Sequence, residues 1–425
     1  KARPGYYATR LDRYGVDVEL TATKRVGLHK YTFPASQDAA VVFDLENGGC
    51  WGKATETAFV SDGLRLSGYR YSTGWAKDQR VYFTAEFSKP VKNISYPDAS
   101  EAVPAGDDVT VKGRYARVEF DTTDGEPIYM KVAISPVSIE NAKLNMQTEL
   151  PGWDFEATAA AADKAWDAEL QKVHIETSDE AARRIFYTAL YHTMIAPSEF
   201  CDVNGDYRGS DGEIYRAAPF VNYTTFSLWD TYRAVHPFFS LLRPDANMRF
   251  IQSMLERYRQ TGMLPMNEYG SNETYCMIGY HAVPVIAQAI LENRSGFDYD
   301  EAFEAMKAAA MDDARGVGLL KEYGYIPSEL ENNSVSKVLE YAYDDWCIAQ
   351  AAKKLGRAED YRYFTARAAN YRNHLDPETR LMRGRRADGS WVAPFDPKAV
   401  SVLGHGDFTE GNSWHYSWSV FHDPK

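Results

Sequence analysis

Hydrophobic and polar residues alternate along several stretches of the first 150 positions. At 16–22, 81–87 and 130–134, apolar side chains occupy every second position, with polar or small residues between them. Alternation with a period of two predicts antiparallel strands that bury one face and leave the other in water. Turn sequences such as Asp124-Gly125 separate these stretches. We therefore expect residues 1–150 to form an antiparallel β-sandwich.

The periodicity changes near Pro151-Gly152, and the chain beyond it reads as successive helices. A capping box of Thr177 and Glu180 is expected to begin one of them. Further predicted helices cover 245–260, 281–293, 300–312, 334–355 and 358–374. The long aromatic loops between them favour an α/α toroid over a plain bundle, because long loops in compact domains are usually functional. The predicted domains are a sandwich at 1–150, a linker helix at 151–176 and the first part of a helical barrel at 177–425.

The composition of the chain argues against several classes of binding partner. The net charge of −13 argues against binding to nucleic acid or to an anionic membrane surface. No run of 18 apolar residues occurs, so no membrane span is predicted. Aromatic residues make up 14% of the chain; most are expected in cores, and a few in sugar-stacking surfaces. The four cysteines form no C-x-x-C pair and are interpreted as lone buried thiols: Cys50, Cys201, Cys276 and Cys347.

Cleavage of a glycosidic bond needs two carboxyl groups, one to protonate the leaving oxygen and one to activate water or attack carbon. The most informative acidic position is Glu410, which precedes Gly411 and is followed by aromatic residues at 414, 416 and 418. A carboxyl group that loses solvation beside aromatic rings stays protonated at neutral pH, as a general acid must. The alternative is an acidic residue at the start of a helix, where the helix dipole favours it.

A second candidate segment runs from Ser227 to Arg233. Trp229 offers a ring face for stacking on a sugar, and Asp230 offers a carboxylate for hydrogen bonds from neighbouring hydroxyls. Arg233 is expected to orient that carboxylate. The alternative is an ordinary amphipathic helix capped near Ser227.

Two further acidic residues, Glu340 and Asp344, are four positions apart on a predicted helix and so share one face. Such a pair suggests a shared cation or an acid–base pair, whereas the ordinary explanation is a solvated acidic face. Upstream, His281 opens another predicted helix after the polar loop 270–274. A histidine in that position is more often structural than catalytic.

Several of these segments, taken in order, resemble glycoside hydrolase family 92. In chain order, the matching motifs are SIENAK at 138–143, GWDF at 152–155, SLWDTYR at 227–233, MIG at 277–279, EYAYDDW at 340–346 and EGN at 410–412. The similarity extends from about residue 130 to the end of the chain. Its specificity lies in the order of the motifs rather than in any one of them.

The resemblance implies a β-sandwich packed on an (α/α)6 barrel, both incomplete in this chain. It implies a calcium-dependent exo-α-mannosidase that hydrolyses terminal α-mannosyl linkages of glycans, N-glycans among them, by a single inverting displacement. It assigns the general acid to Glu410 and contact with the terminal mannose to Trp229 and Asp230. It leaves the calcium ligands unassigned and implies a secreted or periplasmic bacterial protein.

The chain departs from the family pattern because it lacks the G-[DE]-[DE]-[DN]-x-G motif that carries the water-activating base. Half of a barrel exposes a large apolar face, so we expect the remainder of the same polypeptide to complete the barrel and supply that base. Two alternatives stay open. One is a metal-independent α/α-barrel glycosidase, whose activity survives a chelator. The other is a non-catalytic carbohydrate-binding protein, which binds mannose without hydrolysing it.

Overall fold

The computed structural model describes residues 1–48, 52–62, 65–99, 101–105, 108–401 and 405–424. The chain divides into two compact units, Lys1–Thr225 with Tyr269–Asn272, and Phe226–Glu268 with Glu273–Lys425. The first unit is rich in strands and the second is helical, so the predicted order of β before α is confirmed. Within the described ranges, no helix is both long enough and apolar enough to cross a bilayer.

The first unit is built on thirteen strands: β1 (Ala2–Arg3), β2 (Tyr6–Leu11), β3 (Val16–Ala22), β4 (Val26–Thr32), β5 (Ala39–Asp44), β6 (Lys53–Ser61), β7 (Arg65–Thr73), β8 (Gln79–Phe87), β9 (Asn93–Ser95), β10 (Glu101–Ala105), β11 (Asp108–Lys112), β12 (Tyr115–Phe120) and β13 (Ile128–Ser135). Ten of them form one sheet in the order β1-β2-β3-β4-β13-β8-β7-β6-β11-β10. The other three form a small sheet in the order β5-β12-β9. Neighbouring strands pair in antiparallel fashion, as when Met130 of β13 lies opposite Phe87 of β8.

Both faces of the large sheet are covered. On one face, Leu66 belongs to the same buried apolar cluster as Phe120 of the small sheet. On the other face, Ala133 clusters with Met146 and Phe155, which lie on two helices that follow the sheet. The two sheets therefore share one core, and the helices bury a second core against the large sheet.

The expectation of one solvated face was wrong for β13. Ile134, predicted to point inward, is 52% exposed, whereas Lys131 and Ala133 on the opposite face are buried. The covering helices explain the burial of Lys131 and Ala133, because they exclude water from the face that the alternation left to solvent. The buried Lys131 ammonium is paired with the Glu86 carboxylate at 3.1 Å, and it also lies 4.3 Å from the centre of the Trp153 ring, in a cation–π contact.

The remaining elements of the first unit are α1 (Ile139–Glu149), α2 (Phe155–Leu170), α3 (Glu180–His192), β14 (Ser198–Glu199), β15 (Tyr207–Arg208), β16 (Ile214–Tyr215) and β17 (Tyr223–Thr224). From residue 226 onward, the elements are β18 (Phe226–Ser227), α4 (Leu228–Thr231), α5 (Val235–Leu242), α6 (Pro244–Thr261), β19 (Asn267–Tyr269), β20 (Asn272–Glu273), α7 (Ala282–Leu291), α8 (Tyr299–Met311), α9 (Val317–Tyr323), α10 (Ser334–Lys354), α11 (Ala358–Arg367), a 3-10 helix (Asn370–His374) and α12 (Ser413–Tyr416).

The helices predicted at 245–260, 281–293, 300–312 and 334–355 are confirmed as α6, α7, α8 and α10, and the one at 358–374 divides into α11 and the 3-10 helix. The predicted capping box was wrong. Asp179 rather than Thr177 caps α3, because its carboxylate accepts hydrogen bonds from the N–H groups of Ala181 and Ala182. Helices α1, α5 and α9 were not predicted.

Helix α10 is the central element of the second unit. It is 21 residues long and is buried on almost every side, with contacts to α7, α8 and α11. A helix surrounded in this way provides a rigid frame for the segments that bond to it.

Candidate active site

The segment that carries Trp229 and Asp230 is a single helical turn, α4, held in place by its buried Leu228. The Trp229 side chain is half-buried and Asp230 is exposed. The Ser227 hydroxyl donates a 2.7 Å hydrogen bond to Asp230 Oδ2 instead of capping the backbone of the turn. The carboxylate of Asp230 is therefore oriented by a neighbouring hydroxyl and remains open to solvent.

The edge of the Trp229 ring is fixed by a buried carboxylate. Its Nε1–H donates a 3.1 Å hydrogen bond to Glu340 Oε1, and the Tyr232 hydroxyl donates a 2.8 Å bond to Oε2 of the same group. The Arg233 guanidinium lies 3.6 Å from Glu340, so this arginine pairs with Glu340 rather than with Asp230, as had been expected. Glu340, not Arg233, is thus the group that organises this segment.

The carboxylates of Glu340 and Asp344 are joined by His281. His281 Nδ1 lies 2.7 Å from Asp344 Oδ1, and Nε2 lies 3.1 Å from Glu340 Oε2, within ion-pair distance but out of line for a hydrogen bond. The imidazole also stacks on the Tyr232 ring, with 3.8 Å between ring centres. Glu340 and Asp344 are 3% and 0% exposed, so the alternative of a solvated acidic face was wrong.

Charge explains how this cluster tolerates burial. Burial lowers the pKa of His281, but the charges of Asp344 and Glu340 outweigh that effect and raise it to about 9. Burial raises the pKa of Glu340, yet His281 and Arg233 reverse the shift and hold it below its ordinary value. Burial raises the pKa of Asp344 to about 6 in spite of His281. The cluster is therefore a carboxylate–imidazolium–carboxylate chain near neutral pH.

Glu410 lies on an exposed bend with backbone φ of +46°. A residue with a side chain is rarely found in this left-handed region, and such strain concentrates at functional sites. Two of the three aromatic residues that follow do not enclose it, since Trp414 and Trp418 are 48% and 80% exposed, and the third, Tyr416, is buried beneath the bend while Glu410 itself stays exposed. The desolvation expected from those residues is therefore not provided by them.

The bend that carries Glu410 is attached to α10. The N–H of Thr409 donates a 2.8 Å hydrogen bond to the Ser336 hydroxyl, and the carbonyl of Thr409 accepts a 2.7 Å bond from Tyr416. Ser336 lies one helical turn before Glu340 on the same face of α10. The segments bearing Glu410 and Trp229 are thus fastened to adjacent turns of one helix.

A cleft of about 640 Å³ lies beside this network. Its wall includes Tyr232, Arg233, Tyr343, Trp346 and Phe421. The expected sugar-contacting pair, Trp229 and Asp230, does not line this cleft, nor does Glu410.

The cysteine prediction was wrong at one position. Cys201 and Cys347 are buried, as expected, whereas Cys276 is exposed. Partial burial and the negative charge of Glu410 both raise the pKa of the Cys276 thiol. The effect of that charge means that the loop before α7 lies near the Glu410 bend. Cys50 lies outside the described residues.

Comparison with known proteins accounts for this combination of segments. The profile of the glycosyl hydrolase family 92 N-terminal domain matches residues 1–135, and that of the glycosyl hydrolase family 92 catalytic domain matches residues 141–425. The chain belongs to glycosyl hydrolase family 92.

Two solved family 92 enzymes are similar to this chain. The α-mannosidase BT3965 from Bacteroides thetaiotaomicron, solved in complex with mannoimidazole, has a TM-score of 0.93 at 41% identity, over 99% of this chain and 57% of its own. The inverting mannosidase BT2199 from Bacteroides thetaiotaomicron VPI-5482 has a TM-score of 0.89 at 32% identity, over 100% of this chain and 58% of its own.

A fungal relative extends the comparison. An uncharacterized secreted glycosidase of Arthroderma benhamiae is 26% identical over 94% of this chain and 52% of its own length. The chain therefore spans slightly more than half the length of these three relatives.

The calcium expected of the family does not find a site in the described part of the chain. Calcium takes six to eight oxygen ligands at 2.3–2.6 Å. Among the described residues, no group of three or more His, Cys, Asp or Glu side chains is arranged to hold a metal ion. The buried pair Glu340 and Asp344 does not fit either, because His281 already occupies the space between its carboxylates.

Sequence reasoning missed the roles of Tyr232, His281 and Ser336 in this site. For a single residue of each of these types, a structural role is the ordinary explanation. The available signal was the spacing of Ser336, Glu340 and Asp344 at intervals of four on a helix that is otherwise rich in buried side chains.

Proposed function

We propose that this chain carries the proton donor and part of the sugar site of an exo-acting, inverting α-mannosidase, and that the remainder of the polypeptide supplies the general base and completes an (α/α)6 barrel. Membership of family 92 supports this proposal, as does the similarity to two solved mannosidases of the family. The substrate class is mannose-containing glycans with terminal α-mannosyl units, including N-glycans.

Glu410 is the proposed general acid, and Trp229 and Asp230 are the proposed contacts of the terminal mannose. The observation that carries this assignment is the attachment of both segments to adjacent turns of α10, through Ser336 and Glu340. Glu410 is exposed and strained while its neighbours are held, which suits a group that must reach a substrate oxygen.

The reaction follows from these roles. The bond between the anomeric carbon and the glycosidic oxygen breaks as Glu410 transfers its proton to that oxygen. Water forms the new bond from the opposite face and gives its proton to the base. The two carboxyl groups are expected to lie about 6.5–9.5 Å apart, which leaves room for the water molecule.

Stereochemistry tests the proposal. The full-length protein is incubated with α-mannobioses of each linkage, and proton NMR follows the anomer released first. Initial release of β-mannose supports single displacement. Initial release of α-mannose contradicts the inverting mechanism. Mannose binding without hydrolysis of any linkage supports the binding-protein alternative and overturns the enzymatic one.

Calcium dependence is a separate part of the proposal, because the described residues provide no site for the ion. We expect a calcium chelator to abolish hydrolysis and added calcium to restore it. Activity that survives exhaustive chelation supports the metal-independent glycosidase instead.

A secreted or periplasmic location completes the proposal. Its support is the fungal relative, which is named as a secreted glycosidase. Fractionation of the source cells checks it, and recovery of the protein with the cytoplasm contradicts it.

A further inference from the structure

One face of α10 carries three polar side chains that each bond to a different segment. Ser336 accepts from the N–H of Thr409, Glu340 accepts from Trp229 and Tyr232, and Asp344 accepts from the N–H of Tyr280 at 2.8 Å. Intervals of four place these residues on one stripe of the helix. The segments before α7, around α4 and before α12 therefore converge on the same stripe.

Glu340 is the residue of this stripe with the most partners. Its side chain is 3% exposed, and its two oxygens face the indole of Trp229, the hydroxyl of Tyr232 and the imidazole of His281. The Arg233 guanidinium adds a fourth donor group at 3.6 Å. Because it is buried and each of its oxygens accepts one of these hydrogen bonds, the carboxylate is withdrawn from solvent and acts on its neighbours.

The bond to Trp229 sets the orientation of a half-exposed ring. An indole has one N–H, so a hydrogen bond from it to a fixed acceptor stops the ring from turning about its side-chain bonds. The acceptor here is charged, which makes the bond stronger than one between neutral groups. Glu340 therefore holds the Trp229 ring face in one direction.

The same helix also determines where Glu410 lies. The residue before Glu410 is anchored to Ser336, one turn from Glu340, and one turn of an α-helix advances about 5.4 Å. Since α10 is buried on almost every side, these two bonds restrict how far the Trp229 ring and the Glu410 bend can move relative to each other.

We infer that Glu340 is a positioning residue of family 92 catalysis in this protein: through its bond to the Trp229 indole, it fixes the ring that receives the sugar relative to the Glu410 bend. The inference rests on the proposed function, because it takes Trp229 as a sugar contact and Glu410 as the acid. Glu340 is proposed to act only through Trp229 and not to contact the substrate itself.

A double-mutant cycle in the full-length protein tests this inference. Glu340→Gln keeps the size of the side chain and removes its charge, and Trp229→Phe keeps a ring and removes the N–H donor. We expect each single variant to lower kcat/KM about 10- to 100-fold, since small misplacements in an active site have effects of that size. Both changes act on one bond: Trp229→Phe removes its donor, and Glu340→Gln replaces its charged acceptor by an amide with one neutral oxygen and an NH2 group. The double variant is therefore expected to lose no more than about threefold beyond the worse single variant.

The outcomes separate the inference from the proposed function. Losses that multiply in the double variant overturn the positioning role and leave the mannosidase assignment standing. A wild-type protein without mannosidase activity overturns the function, and the inference with it. If circular dichroism shows that Glu340→Gln is unfolded, Tyr232→Phe takes its place in the cycle, because it weakens the hold on Glu340 while keeping the carboxylate and its ion pairs.

Asp345→Asn is the matched control for this cycle. Asp345 lies on α10 beside Asp344 but bonds to Arg367 of α11 instead of to the Trp229 segment. We expect its effect on kcat/KM per folded molecule to multiply with that of Trp229→Phe. Coupling of Asp345→Asn to Trp229→Phe as strong as that of Glu340→Gln contradicts a specific role for Glu340.

Discussion

Asp344 and Asp345 are neighbours on α10, yet their side chains enter two different buried networks. Asp345 receives the Arg367 guanidinium at 2.6 Å and the Tyr280 hydroxyl at 2.7 Å, and its charged partner lies on α11. The two networks meet at Tyr280, whose backbone N–H bonds to Asp344. Asp344 leads through His281 to Glu340 and ends at the half-exposed Trp229 ring. The same kind of buried charge pair thus fastens the scaffold on one side of the helix and orients the candidate site on the other.

The difference predicts two mutational signatures. Where a charge network ends inside the core, breaking it reduces stability and leaves the site of each folded molecule intact. Where a network ends at a residue that meets the substrate, breaking it changes catalysis as well. Three measurements test whether the two networks differ in this way.

The largest effect on stability is expected from Asp345→Asn, which leaves the buried Arg367 guanidinium without its carboxylate. Loss of one partner of a buried ion pair costs about 3–5 kcal/mol. Urea unfolding measures the change, and kcat per folded molecule is expected to stay within about twofold, since Arg367 is held by Asp345, Tyr280 and Met311 rather than by the Trp229 segment.

An exposed pair provides the control for that variant. Arg259 pairs with Glu301 through side chains that are 50% and 29% exposed, and Arg259→Met is expected to cost about 1 kcal/mol or less. Equal costs for the two variants contradict the view that the Asp345 network is a buried support.

A smaller effect is expected in the pH dependence of stability. The pKa of His281 is raised to about 9 in the folded state, and an unperturbed histidine titrates near about 6.5. A raised pKa means that the stabilisation is complete below pH 6.5 and is lost as the pH rises through 9. The loss is at most about 3 kcal/mol.

His281→Gln checks this pH dependence. The titratable groups that face His281 are Glu340 and Asp344 on α10 and the Tyr232 hydroxyl beside its stacked ring. Burial raises the pKa of Asp344 to about 6, so its titration lies below the alkaline window. We expect the melting temperature of the wild type to fall more steeply between pH 7 and 9 than that of the variant. Parallel curves are the contrary result.

The smallest effect is expected from Ser336→Ala, which removes the acceptor of the Thr409 N–H. An unpaired buried N–H costs about 1–3 kcal/mol, and the freed bend is expected to lower kcat/KM about tenfold. Ser253→Ala, a change at a buried serine whose hydroxyl bonds within α6, is the control and is expected to leave kcat/KM unchanged. Equal activity in both variants contradicts the anchoring of Glu410 through Ser336.

The sequence predicted regular elements better than the contacts between them. The predicted helices near α6, α7, α8 and α10 were confirmed because their apolar periodicity is local information. The burial of Lys131 was not predicted because α1 and α2 cover the face of β13 that carries it, and nothing in the strand itself records this. Helix α5 was missed because it is only eight residues long and carries Pro237 in its first turn.

The candidate site shows the same limit. Motif order was sufficient to select Glu410, Trp229 and Asp230, and their catalytic roles stay predictions. The charge of the Glu340–Asp344 pair was misjudged as solvated, because its counter-charge, His281, is about sixty positions away in the sequence. Long-range pairing of this kind is determined by tertiary packing, which a single sequence does not display.

The proposed mechanism depends above all on one step, in which Glu410 donates its proton to the departing sugar oxygen. Glu410→Gln in the full-length protein, compared with the exposed control Glu378→Gln, is assayed on an α-mannobiose and on α-mannosyl fluoride, whose leaving group needs no proton. If Glu410 is the general acid, we expect Glu410→Gln to lose about 10²–10⁴-fold in kcat/KM on the disaccharide, to lose much less on the fluoride, and to bind mannose as the wild type does. Equal losses on the two substrates, or near-normal turnover of the disaccharide, contradict the role of Glu410 as proton donor.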